Sequence, residues 1–149
     1  MALEMNLRFG DVLRDHTLKN TYINANKNGY QFEVRLGYYR GHYLSTIENF
    51  ALTVNGDVVD NDQITFNLNG KSFHPDELKY QVSEFWQIIE PAIIKVHLPG
   101  GLAVGTHQVG LTLKLRSPYM PLPGADGRAY VIINSDDSKE MTLIGEGEV

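Results

Sequence analysis

The residues richest in chemical potential crowd the segment VNGDVVDNDQITFNLNGKSF, Val54 to Phe73, which holds Asp57, Asp60, Asn61, Asp62 and Asn67. Oxygen donors at this density could hold calcium. A calcium hand also needs glycine at its sixth position and a bidentate glutamate at its twelfth. Counted from Asp57, those positions are Asp62 and Leu68. The pairs Asn55-Gly56 and Asn69-Gly70 each sit between alternating apolar runs, where both central residues of a tight hairpin turn take positive φ. The acids therefore read as turn chemistry and a solvated connection between strands.

The histidines offer a second chemistry. His16, His42, His74, His97 and His107 form no HxH or HExxH pair, so a zinc site would have to assemble from distant residues. His97 and His107 are expected on the polar faces of their strands. His42, inside GYYRGHY, is the one placed to meet a ligand or a partner. Hydrolase chemistry of the GxSxG kind has no matching elbow. Gly100-Gly101 and Gly105 do not lead into a helix, as a phosphate loop would. The carboxylate pairs Asp76/Glu77 and Glu84/Glu90 could do acid–base work, although surface charge is the commoner fate of such pairs.

Aromatic residues in loop-like positions are the remaining signal. Tyr38, Tyr39 and Tyr43 flank Arg40 and His42, Phe85-Trp86 follows a polar run, and Tyr119-Met120 lies among prolines. Tyr, Trp, Met and Arg are enriched at the centres of protein interfaces. Phe85 and Trp86 read first as the top of a core. Tyr38, Tyr39, Arg40, His42, Tyr43, Tyr119 and Met120 are the candidate partner contacts, and no residue of the chain is assigned a catalytic, cofactor or metal role.

The elements that must position these residues follow from length and period. The chain has 149 residues, 42% of them hydrophobic and 21% charged, with net charge −5. That suits one domain, residues 1–149, and the negative balance argues against a phosphate-backbone binder. The lack of cysteine excludes disulfides and thiolate sites and leans towards a reducing cytoplasm. No apolar run approaches the ~18 residues of a membrane helix, and MALEMNLRFGD has no signal-peptide pattern.

Period two dominates. Tyr30 to Leu36 alternates strictly, as do Phe50–Val54, Ile64–Leu68, Ile94–Leu98 and Val109–Leu115, with Ala129–Ile133 and Met141–Ile144 as further strands. Close spacing and turn residues between these runs predict an antiparallel β-sandwich, jelly-roll-like, with at most one or two short helical turns. The helical candidate is PDELKY, Pro75 to Tyr80, with proline in the first turn followed by two acids. Ser117 to Gly127, with three prolines, is expected to be a loop kept out of any central strand.

One further signal lies in the order of features along the chain. A strand ends in the Asn69-Gly70 turn and Phe73, then come Asp76-Glu77-Leu78, Trp86 and the strand after Pro91. Leu98-Pro99-Gly100-Gly101-Leu102, Gly105-Thr106-His107 and Pro118-Tyr119-Met120-Pro121 complete it. From Ile64 to Pro121, and more weakly from Tyr30 to Gly56, this order resembles the β subunit of the bacterial C-glycoside deglycosidases.

The resemblance implies a small β-sandwich that assembles with a larger α subunit, a sugar-phosphate-isomerase-like barrel carrying a divalent metal, typically manganese. Together they would cleave the carbon–carbon bond between a 3-oxo sugar and an aromatic aglycone by β-elimination. The ketone acidifies the C2 proton, and the metal stabilises the enolate that forms. The metal ligands and the base belong to the α subunit, so this chain would be an accessory, non-catalytic subunit with no cofactor of its own. Two other classes remain open on the residues alone. One is a stand-alone carbohydrate-binding sandwich that stacks Tyr and Trp on sugar faces. The other is a β-barrel enzyme with a metal site of scattered His and Glu.

Overall fold

A computed structural model describes residues 2–5, 12–36, 41–121 and 130–144, with side chains described except at 2–5, 117–121 and 130–131. The strands in chain order are β1 Ala2–Met5, β2 Lys19–Ile23, β3 Asn26–Val34, β4 His42–Tyr43, β5 Ile47–Val54, β6 Asp57–Val58 and β7 Ile64–Leu68. They continue with β8 Lys71–Phe73, β9 Phe85–Trp86, β10 Ala92–His97, β11 Gly105–Pro121, β12 Tyr130–Asn134 and β13 Asp137–Leu143. Helical structure among the described residues is confined to short 3-10 turns, including the expected Pro75–Tyr80. None is long and apolar enough to cross a membrane.

Two sheets face one another. One has the order β1-β12-β11-β5-β6, with β13 also paired to β11. The other has the order β2-β3-β10-β7-β8. All pairs are antiparallel except β1 with β12. The chain is thus an all-β sandwich, as the alternation predicts. Leu52, Leu111 and Leu113 from the first sheet and Phe32, Ile64, Phe66 and Ile94 from the second belong to one buried cluster. Period-two alternation puts each set on one face, and burying such side chains contributes roughly 1.5–3 kcal/mol each before conformational entropy is counted. The Phe50 ring meets Phe66 edge-on at 6.0 Å, joining the two sheets.

Both Asn-Gly turns form as expected, with φ of 54° and 85° at Asn55-Gly56 and 55° and 74° at Asn69-Gly70. The acid run is local structure. Asp57 and Val58 pair with Val54 and Thr53, and Asp60 Oδ1 accepts the Asp62 N–H at 3.0 Å to open a 3-10 turn.

Two expectations are corrected. Residues 117–121 belong to strand β11 rather than to a loop. Pairing with β5 stops at Leu115 and the β12 register shifts between Ser117 and Pro121, so the prolines fall where the ladder is one-sided and irregular. His107 is 9% exposed, not on the polar face. It shares strand parity with Val109 and Leu111, and so points into the sandwich.

Candidate partner interface

At one end of the sandwich a two-residue ribbon lies across the opening between the sheets. β4 and β9 pair antiparallel, His42 with Trp86 and Tyr43 with Phe85. The chain beyond continues the contact, Leu44 N–H donating to Glu84 O at 2.9 Å and Ser45 N–H to Gln81 O at 3.2 Å. Gly41 makes this approach possible: a Cβ there would lie 2.6 Å from both the Phe85 ring and Trp86 O. The Asn69 side chain ties the neighbouring hairpin turn to the ribbon, its Nδ2 donating to Phe85 O at 3.1 Å. Glu84 pairs with Lys71, whose hydrogen bond holds the glutamate carboxyl below its ordinary range.

Strand alternation divides the four side chains. Trp86 and His42 turn inward, at 0% and 1% exposure. The indole stands edge-on to Phe66 at 5.4 Å, and its Nε1–H donates to Glu90 O at 2.7 Å. His42 lies 3.5 Å from Thr46 Oγ1, and burial pushes its imidazole down to about 4. It is therefore a neutral core residue near neutral pH, not the ligand-facing group its surroundings in the sequence suggest.

Tyr43 and Phe85 turn outward as an edge-to-face pair with centroids 5.0 Å apart, Tyr43 being 45% exposed. Tyr80 and Val82 stand on the segment that runs beside Leu44 and Ser45, and they are 70% and 71% exposed. The 3-10 turn that delivers Tyr80 starts at Pro75. The Glu77 carboxylate accepts the His74 N–H at 2.8 Å, and Leu78 is plugged into the core. Lys79 Nζ sits 5.1 Å from the Tyr80 ring centroid, close enough for a cation–π contact.

Of the candidate contacts named from sequence, the structure brings His42 and Tyr43 to this end. Tyr38, Tyr39 and Arg40 lie outside the described residues, as do the side chains of Tyr119 and Met120, whose backbone continues β11. Tyr80, Val82 and Phe85 were not singled out as contacts. A tyrosine and a valine flanking the polar end of a 3-10 turn were the available signal. Among the described residues no three His, Asp or Glu side chains gather into a group that could hold a metal ion.

The arrangement is that of an all-β sandwich with exposed rings mounted on a rigid, buried base. The chain belongs to the C-glycoside deglycosidase beta subunit family, which matches residues 9–119. It is 39% identical over 104 residues to the C-glycoside deglycosidase beta subunit of Eubacterium cellulosolvens, covering 70% of this chain and 71% of that one. It is 31% identical over 114 residues to the 3'-dehydrocarminate deglycosidase beta subunit of a Microbacterium species, 76% and 85% of the two chains. A C-glycoside deglycosidase beta subunit of Arthrobacter globiformis is 33% identical over 111 residues, 74% and 82% of the chains.

Proposed function

We propose that this chain is the accessory subunit of a deglycosidase that breaks the carbon–carbon bond between a 3-oxo sugar and an aromatic aglycone. In this reading it performs no bond chemistry and seats its β4–β9 end on a larger, barrel-type α subunit in the cytoplasm. The base and the divalent cation, manganese by the family resemblance, lie on that α subunit. The reaction is an elimination. Loss of the C2 proton, acidified by the C3 ketone, leaves an electron pair that forms the C1–C2 double bond as the C1–aglycone bond breaks. The aglycone carbon leaves with that bond's electrons and takes up a proton.

Membership of a family of beta subunits supports a partner, and the 3'-dehydro prefix in the Microbacterium relative's name fits an oxidised sugar. The observation that carries the choice of surface is the outward pair Tyr43–Phe85 above the buried Trp86. Rings fixed in this way lose little entropy on burial, and interface centres concentrate binding energy in such residues. Their seating would exclude water from the partner's site, which strengthens the electrostatic interactions there.

Co-expression with the barrel-type α subunit tests the reading. The two chains should elute together, and a 3-oxo-C-glycoside should be cleaved by the complex but not by this chain. Turnover by the isolated chain would contradict the accessory role. Binding of an unoxidised sugar by the isolated chain, with no association with the α subunit, would establish a carbohydrate-binding module instead.

A further inference from the structure

The opposite end of the sandwich is concave. A cavity of about 260 Å³ opens there between the sheets, floored by Tyr30, Val54 and Val96 and walled by Val59, Leu98 and Leu102. Asn55, Asp57, Gln63 and His97 add polar groups to the lining, and the loop that bears Leu98 and Leu102 is built rather than incidental. Asn20 clamps Leu102 twice, Nδ2 donating to Leu102 O at 3.0 Å and Oδ1 accepting Leu102 N–H at 2.9 Å. Gly101, at φ 62°, lets this happen, because a Cβ there would lie 2.5 Å from Asn20 Oδ1. His107 holds the next residue. Its Nε2 faces Ala103 O at 2.7 Å and must donate, which leaves Nδ1 to accept from Asn55 Nδ2 at 3.0 Å. Asn55 Oδ1 takes the Gln108 N–H at 3.0 Å, fixing the amide's orientation. The buried histidine thus fastens the Asn55-Gly56 turn and the 98–104 loop on either side of the cavity mouth.

Tyr30 is 2% exposed, and its hydroxyl bonds to no described residue. Burial alone pushes the phenol up to about 12, so the hydroxyl stays a protonated donor throughout the neutral range. Tyr30 lines the cavity, so a hydroxyl that no described group engages can donate to an acceptor brought by a ligand.

We propose that this cavity binds a neutral, single-ring aromatic compound bearing one oxygen acceptor, to which the Tyr30 hydroxyl donates. Size sets the ring count: an apolar cavity of about 150 Å³ takes benzene, and the smallest drug-sized ligands need about 300 Å³. Charge sets the sign, since the lining contains Asp57 and neither lysine nor arginine, which disfavours a carboxylate. Of the polar residues in the lining, Asn55 is committed to His107 and Gln108, and Asp57, Gln63 and His97 are exposed to water. Sugar hydroxyls would therefore lose their water against the buried Val54 and Val96 with few fixed partners, at a net cost. The site needs neither the α subunit nor turnover, and it stands or falls independently of the proposed function.

The test is a titration of the full-length chain, followed by amide ¹H–¹⁵N shifts, with acetophenone, toluene, benzoate and glucose. Acetophenone should move the Val59, Leu98 and Leu102 amides and bind roughly five-fold more tightly than toluene, the worth of one neutral hydrogen bond. Tyr30→Phe should erase that preference at an unchanged melting temperature, because no protein group depends on the hydroxyl. Leu102→Trp should block the cavity and abolish both titrations. Absence of saturable shifts at these amides, tighter binding of benzoate or glucose, or an acetophenone preference that survives Tyr30→Phe would each overturn the proposal.

Discussion

The two ends of the sandwich solve opposite problems with similar materials. At the β4–β9 end a tryptophan and a histidine are buried so that a tyrosine and a phenylalanine can stand outward. At the other end a tyrosine is buried and aliphatic side chains line a cup. A convex set of rings suits a large partner surface, whereas a cup of about 260 Å³ suits a small molecule. In both places the backbone is made rigid by side chains that bond to it: Asn69 and Trp86 at the ring end, Asn20, Asn55 and His107 at the cup. Aromatic content therefore does not define function here. The direction of each ring, set by strand parity, is what distinguishes the two ends.

The comparison can be broken most forcefully at its buried base. Trp86→Ala removes a fully buried indole and the edge contact with Phe66, and should cost about 3–5 kcal/mol of folding stability in urea titrations. A loss below about 1 kcal/mol would show that the ring end does not rest on the core.

His42 sharpens the same point through pH. Its folded-state pKa, about 4, lies below the ordinary 6.5, so the unfolded chain takes up the proton first as pH falls. Above pH 6.5 histidine is neutral in both states and contributes no pH dependence. Between about 6.5 and 4 stability should fall, by about 3 kcal/mol in total from this residue. Unfolding curves at pH 7, 5.5 and 4.5 should show the decline, and His42→Gln should be distinctly flatter. Identical slopes for the two proteins would contradict the assignment.

The smallest of these effects lies at the cup end. Ala25 sits at φ 68° in the turn joining β2 to β3, a conformation that costs a non-glycine residue roughly 1 kcal/mol or more. Ala25→Gly should raise stability by about 1 kcal/mol while leaving partner affinity unchanged. No gain in melting temperature would mean that the turn is not strained.

Ala25 also shows where reading the sequence stops. The strands from Tyr30, Ile64 and Val109 were legible because alternation persists over five or more residues, and the Asn-Gly turns because positive φ has a residue signature. The β2–β3 hairpin turns through Asn24-Ala25, which carries no such glycine, so β2 was missed. β4 and β9 are two residues each, too short for any period. Their existence depends on the pairing of His42 with Trp86, 44 positions along the chain. The tyrosine-rich stretch around Arg40 singles out Tyr43, which the structure places on the ring end. It could not show that His42 faces inward, nor that Tyr80 and Val82 join the surface, because parity across a ribbon is a tertiary property. His107 departs from expectation for the opposite reason: its parity with Val109 is visible in the sequence, but a polar side chain is expected to face water.

The most direct test of the proposal that outward rings serve a partner is a paired measurement on Tyr43→Ala. Affinity for the α subunit and melting temperature are determined for the wild type and the variant under the same conditions. Tyr43 is 45% exposed and its ring contact is with Phe85 at the surface, so the fold should lose little. The account predicts a loss of ~2 kcal/mol in association, roughly thirty-fold in Kd, with a nearly unchanged melting temperature. Unchanged affinity with a lowered melting temperature would show that Tyr43 caps its own domain and that the partner binds elsewhere.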